Sequence, residues 1–270
     1  MISIFRKNLL LNACFFVNFA SNNMILPGMI FYLLGKNITQ GDALFLGSLK
    51  FWAYTAFTLV CIKIVQHFNI KKCIAYSLVI KIVSFALLLI NHSFLLCCVS
   101  MLFNGLGAAL FAFATKLYIQ HSSQDVAESF SVRYTIQNLA ASISPLIISA
   151  YIYFNIAFEY FIITTMIFFV TGVLFSTYLD NIKTDSKKTP LSQSSNNNFD
   201  RRIFLFVAFT SVAFAIFYFL FETALPISLQ QLHQENWFSS IMLFNTLVIV
   251  LFQIKYINFS RLNLDIAKRS

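Results

Sequence analysis

The chain has 270 residues, of which 59% are hydrophobic and only 11% charged, with 33 Phe, a mean hydropathy of +0.75 and a formal net charge of +9. A soluble domain of this length carries about a quarter charged residues, so the composition excludes a water-facing globule and points to a chain dissolved in lipid. The positive charges sit in the polar breaks between apolar runs, which ties them to membrane orientation and not to a nucleic-acid partner.

A spanning helix needs roughly 20 mostly apolar residues. Eight runs meet that requirement: 8–34, 44–65, 73–90, 94–119, 135–154, 161–179, 203–229 and 238–256. The first run is too long for a cleavable leader and no small-residue cleavage site follows it, so it is read as a span. The alternating ten-residue pattern of a membrane barrel is absent. The expected fold is therefore an all-α membrane protein: a six-helix bundle over 1–179, a linker over 180–202, and two further helices with a tail over 203–270.

Of the 19 Lys and Arg, Lys50 and Lys81 fall within spans, Lys36 lies on one side, and all the others lie at or beyond span ends on the opposite side. That bias predicts cytoplasmic termini and a cytoplasmic linker in an inner (plasma) membrane. The linker is rich in Ser and Asn and reads as a flexible tether without a site of its own. Cys14, Cys61, Cys73, Cys97 and Cys98 all fall in or beside apolar runs, with no C-x-x-C spacing, and read as small packing residues.

Polar residues within the spans mark the candidate site. In span 1, Asn12, Asn18, Asn22 and Asn23 share an arc of about 140° at about 100° per residue. They serve either as hydrogen-bonding glue between helices or as the wall of a wet cavity. Pro27 is expected to kink the same helix. In span 5, Asn138, Ala141, Ser142, Pro145 and Ser149 fall within about 100° of one another. That stripe supports close helix packing or substrate contact. Gly105 and Ala109 make a similar small-residue series in span 4. Lys50 is placed to snorkel. Lys81 lies near mid-depth in span 3, with Ser77 and Ser84 on its face, and must either meet a wet interior or snorkel. Glu222 is the single carboxylate within a span and shares a face with Ser211, Ala215 and Tyr218. It is either a proton carrier or a solvated residue near the span end. No phosphate loop, zinc motif or nucleophile elbow occurs, and His67, His92, His121 and His233 map to loops or span ends. No enzyme, cofactor or metal is expected.

Five stretches together resemble the major facilitator superfamily of secondary transporters. IKIVQHFNIKK (Ile62–Lys72) occupies the place of that family's gating loop, G-x-L-x-D-R-x-G-R-[RK]. Lys71 and Lys72 keep its cationic end, Gln66 stands at the acid, and Ile62 and Asn69 stand at the glycines. FNGLGAALFAF (Phe103–Phe113) is similar to the fourth helix, with Met101 where many members carry arginine. FSVRYTIQNLAASISPLIIS (Phe130–Ser149) is similar to the fifth helix of drug:proton antiporters at Arg133, Asn138, Leu139 and Pro145. FYFLFETALPISL (Phe217–Leu229) and SSIMLFNTLVIVLFQ (Ser239–Gln253) are similar to the seventh and eighth helices. The resemblance implies two bundles around a midplane cavity, in a chain truncated after its eighth helix. It also implies a small organic solute, a drug-like cation or amphiphile, moved outward with proton coupling. Asn12, Asn18, Asn22, Asn138, Pro145, Tyr218 and Glu222 would line the pathway, and Gln66, Asn69, Lys71, Lys72 and Arg133 would form its gate. The alternative is a non-transporting remnant or an assembly subunit, with a second subunit supplying the absent helices.

Overall fold

A computed structural model describes residues 9–90, 93–123, 126–181 and 201–232, together with 234, 237, 238, 240–242, 244, 245, 247 and 248. Seven helices span these residues: α1 (Leu9–Gly35), α2 (Gln40–His67), α3 (Ile70–Ile90), α4 (Phe94–Ser122), α5 (Val126–Tyr153), α6 (Phe158–Thr177) and α7 (Arg201–Gln231). Among the described residues, α1 to α6 include six stretches long and apolar enough to cross a membrane. The fold is an all-α membrane bundle.

The helices run past the apolar spans at most ends. The largest difference is at α5, which begins at Val126 and not near 135. Its first turns carry Glu128 and Arg133. Backbone hydrogen bonding does not stop where lipid stops, so hydropathy marks only the membrane-facing part of a helix. The linker residues 182–200 and the tail 249–270 lie outside the described residues, as do His92 and His233. Of the expected eighth span, Phe238 is described and buried, with its ring edge-on to Phe31 at 6.0 Å.

Two connections at one end of the bundle close with the same backbone device. Asn37 and Asn155 hold left-handed φ angles of 61° and 51°, a region asparagine tolerates better than most residues. Around Asn37, the amides of Ile38 and Asn37 donate to the carbonyls of Leu33 and Leu34. Around Asn155, those of Ile156 and Asn155 donate to Tyr151 and Ile152. Both are Schellman closures that satisfy the last helical carbonyls. Thr39 then caps α2 by accepting from the Asp42 amide at 3.2 Å. The two connections are bridged by an ion pair between Lys36 and Glu159. Lys36 stands apart from the charge bias of the other polar breaks, and here it has its own carboxylate. At the opposite end, the Asp180 amide donates to the Tyr118 hydroxyl and Asn69 Nδ2 donates to Asn181.

Inside the bundle, α2 and α3 pack along the two sides of α4, while α1 packs against α5 and α6. Small residues allow the closest approaches. Ser84 Oγ donates to the Ser100 carbonyl at 2.8 Å, and Ser100 Oγ donates back to the Ser84 carbonyl at 2.7 Å. Ser144 Oγ donates to the Ala20 carbonyl at 2.8 Å, so α5 meets α1 through this residue. All five cysteines are free. Large apolar side chains such as Trp52, Leu59, Leu95, Leu174 and Phe209 cover the outside, as a lipid-facing surface requires. Replacing Ser84 and Ser100 together by alanine is expected to lower stability by only about 0.6 kcal/mol per interaction. A thermal melt of the double variant in detergent checks this.

Candidate functional site

A lysine sits at the centre of the bundle. Lys81 on α3 is fully buried, and its Nζ donates to Asn18 Oδ1 at 2.6 Å and to Asn22 Oδ1 at 3.1 Å, both on α1. Asn18 and Asn22 are one turn apart, so one face of α1 presents both amides. The ammonium also lies 5.4 Å from the Phe111 ring centroid and 5.3 Å from that of Phe169. Four helices thus converge on one charge. A Cβ at Gly107 would stand 2.8 Å from Lys81 Cγ and 2.8 Å from the Ser77 carbonyl. The glycine makes room for the lysine stem.

A second cation approaches the same stretch of α1 from α5. Arg133 is 8% exposed, and its guanidinium carbon lies 5.2 Å and 5.7 Å from the Phe15 and Phe19 ring centroids. Phe15 meets Phe111 edge to face at 6.1 Å, so the two cations rest on one connected set of rings. Cation–π contacts of this kind contribute about 0.5–2 kcal/mol each. A charge at mid-membrane costs about 2.5–3.5 kcal/mol on insertion scales, so the rings offset part of that cost. Among the described residues, neither cation has a carboxylate within ion-pair distance. The Nε of Arg133 is buried without a hydrogen-bond partner there.

Asn104 adds a third unusual group. It is fully buried, and neither side-chain polar atom has a partner among the described residues. It stands one turn from Ser100, one turn from Gly107 and two turns from Phe111 on α4, so it lies on the face turned toward α3 and its lysine.

The expected site residues are distributed as follows. Asn18 and Asn22 meet Lys81, and Asn12 is buried on the same helix. Pro145 is buried and Asn138 half-buried on α5. Arg133, expected at a gate, stacks inside on Phe15 and Phe19. Asn69 caps α3, its Oδ1 accepting from the Lys71 amide at 2.9 Å. Lys71 is half-buried and Lys72 exposed. Tyr218 and Glu222 lie on α7, which packs against α1 and α2, with Phe51 and Phe219 edge to face at 5.5 Å. The side chains of Tyr218, Glu222 and Gln66 lie outside the described residues. The sequence leaves Lys81 between a wet interior and snorkelling, and does not point to Phe111, Phe169 or Asn104. One signal was available: Lys81, Asn18 and Asn22 all lie about three turns into their helices, and those two helices run the same way.

The comparisons with known proteins bear on the fold and the family. A comparison with curated proteins found no match. Among solved structures, the chain is similar to a POT family transporter crystallised with a thioalcohol-conjugated peptide, with a TM-score of 0.57 and 16% identity. The match covers 94% of this chain and 52% of that one, so this chain spans about half the length of that transporter. At that identity the likeness speaks to the helical fold alone. The Major Facilitator Superfamily profile matches residues 11–263, nearly the whole length. The chain belongs to the Major Facilitator Superfamily.

Proposed function

We propose that the chain is a secondary active transporter, or the transporting half of one, that moves a small organic solute outward in exchange for protons. Family membership carries this reading, and the buried polar core on α1, α3 and α5 supports it. Intramembrane ionisable residues mark solute and ion pathways by default. The pathway proposed here runs along Asn12, Asn18 and Asn22 on α1, Asn138 and Pro145 on α5, and Tyr218 and Glu222 on α7. Gln66, Asn69, Lys71 and Lys72 form the proposed gate. Both termini are placed in the cytoplasm and the protein in a bacterial inner membrane.

The deciding experiment is flux in proteoliposomes holding the purified full chain under an imposed proton gradient. Gradient-dependent solute movement is expected. A folded, inserted protein that gives no such flux would instead favour a membrane assembly subunit. Glu222→Gln is expected to insert normally and to lose proton-driven flux. Flux with an unchanged pH dependence in that variant would remove Glu222 from the proton path.

A further inference from the structure

Two cations converge on one short stretch of α1. Lys81 reaches Asn18 and Asn22, while Arg133 lies over Phe15 and Phe19. Among the described residues nothing negative answers either charge. The partners of Lys81 are amide oxygens and ring faces, with no carboxylate among them. With their oxygens turned to the ammonium, the amides of Asn18 and Asn22 have their N–H groups left for other partners. Arg133 has a buried Nε without an acceptor, and Asn104 has an amide without any partner. The region is rich in donors and positive charge and poor in acceptors. The connected rings of Phe15, Phe19 and Phe111 lie between the two cations, Phe15 and Phe111 buried and Phe19 partly exposed.

We infer that the solute is an amphipathic organic anion, its carboxylate drawn to Arg133 and Lys81 and its apolar body lying against the partly exposed ring of Phe19. This rests on the transporter reading. A guanidinium fork matches a carboxylate in two parallel hydrogen bonds, whereas an ammonium acts as a point charge. Arg133 is therefore the direct contact. Lys81, fully buried behind the rings, supplies field. Among the described residues, a cationic solute would meet two like charges in a low-dielectric wall and no carboxylate to answer its own.

Binding of radiolabelled 1-naphthaleneacetate and of 1-naphthylmethylamine is to be measured on the full chain in phosphatidylcholine nanodiscs, beside flux of both in proteoliposomes. The acid is expected to bind about tenfold or more tightly than the amine. Arg133→Gln should weaken acid binding by about tenfold or more. Arg133→Lys, which keeps the charge and loses the fork, should weaken it by about threefold with an unchanged gel-filtration profile. That conservative variant carries the test if Arg133→Gln does not fold. The inference is overturned if the amine binds as tightly as the acid, or if a folded Arg133 variant binds the acid as the parent does. Displacement of the acid by added phosphatidylglycerol at equal concentration would also overturn it, by making an anionic lipid the occupant. Acid binding without flux would sink the transporter reading and leave the anion site standing. Flux of the amine alone would do the reverse.

Discussion

Lys81→Met is expected to fold, to melt within a few degrees of the parent protein, and to lose more than about nine-tenths of solute flux. The opposing terms nearly cancel. Removing the ammonium removes a desolvation cost of about 2.5–3.5 kcal/mol. It also removes two charge-assisted hydrogen bonds, to Asn18 and Asn22, and two ring contacts. Such bonds contribute about 1.5–3 kcal/mol each in isolation, but the two amides lie one turn apart and can pair with each other once the lysine is gone. Methionine keeps the length of the stem and fills the space beside Gly107. Thermal melting in detergent and flux in proteoliposomes, measured on one preparation, check both halves. A fall in melting temperature of more than about 10 °C would show that Lys81 chiefly holds α1 to α3, since about 2–4 °C corresponds to 1 kcal/mol at this chain size.

Gly105→Val should have the largest effect on folding. A Cβ at Gly105 would stand 2.5 Å from Ala53 Cβ, 2.6 Å from the Lys50 carbonyl oxygen and 2.8 Å from the Tyr54 amide nitrogen. Two of those atoms are backbone, so no rotamer change relieves the overlap. The helices α2 and α4 must separate along their extensive contact. Overpacking of this kind costs about 1–3 kcal/mol, and more where backbone must move. The expected result is loss of the monodisperse peak on detergent gel filtration and a sharply lowered melting temperature. Gly35→Ala is the matched control, because nothing lies within 4 Å of an added Cβ there. It is expected to behave as the parent.

The helices were legible because lipid imposes a length and a polarity that a sequence must display. The polar face of α1 was legible for the same reason, as buried amides stand out against Phe and Leu. Which helix faces which was not. Periodicity places Asn18 and Asn22 on one side of α1 but does not name α3 as the neighbour, so Lys81 remained a choice between cavity and snorkelling. The small-residue arc of α5 had the same gap. Asn138, Ala141, Ser142 and Ser149 are half-buried, and the contact with α1 runs beside them through Ala140, Ser144 and Ile148. Arg133 resembled a gate residue by its place in a motif, whereas its stacking on Phe15 and Phe19 depends on tertiary packing alone.

The paired corners at Asn37 and Asn155 bear on how this bundle can change shape. Each is wound tight enough that its last helical carbonyls are already taken, and Lys36 and Glu159 lash one corner to the other. There is no slack for α1 to ratchet past α2, or α5 past α6, by a turn. A rearrangement that keeps both corners closed tilts α1 with α2, and α5 with α6, as single levers.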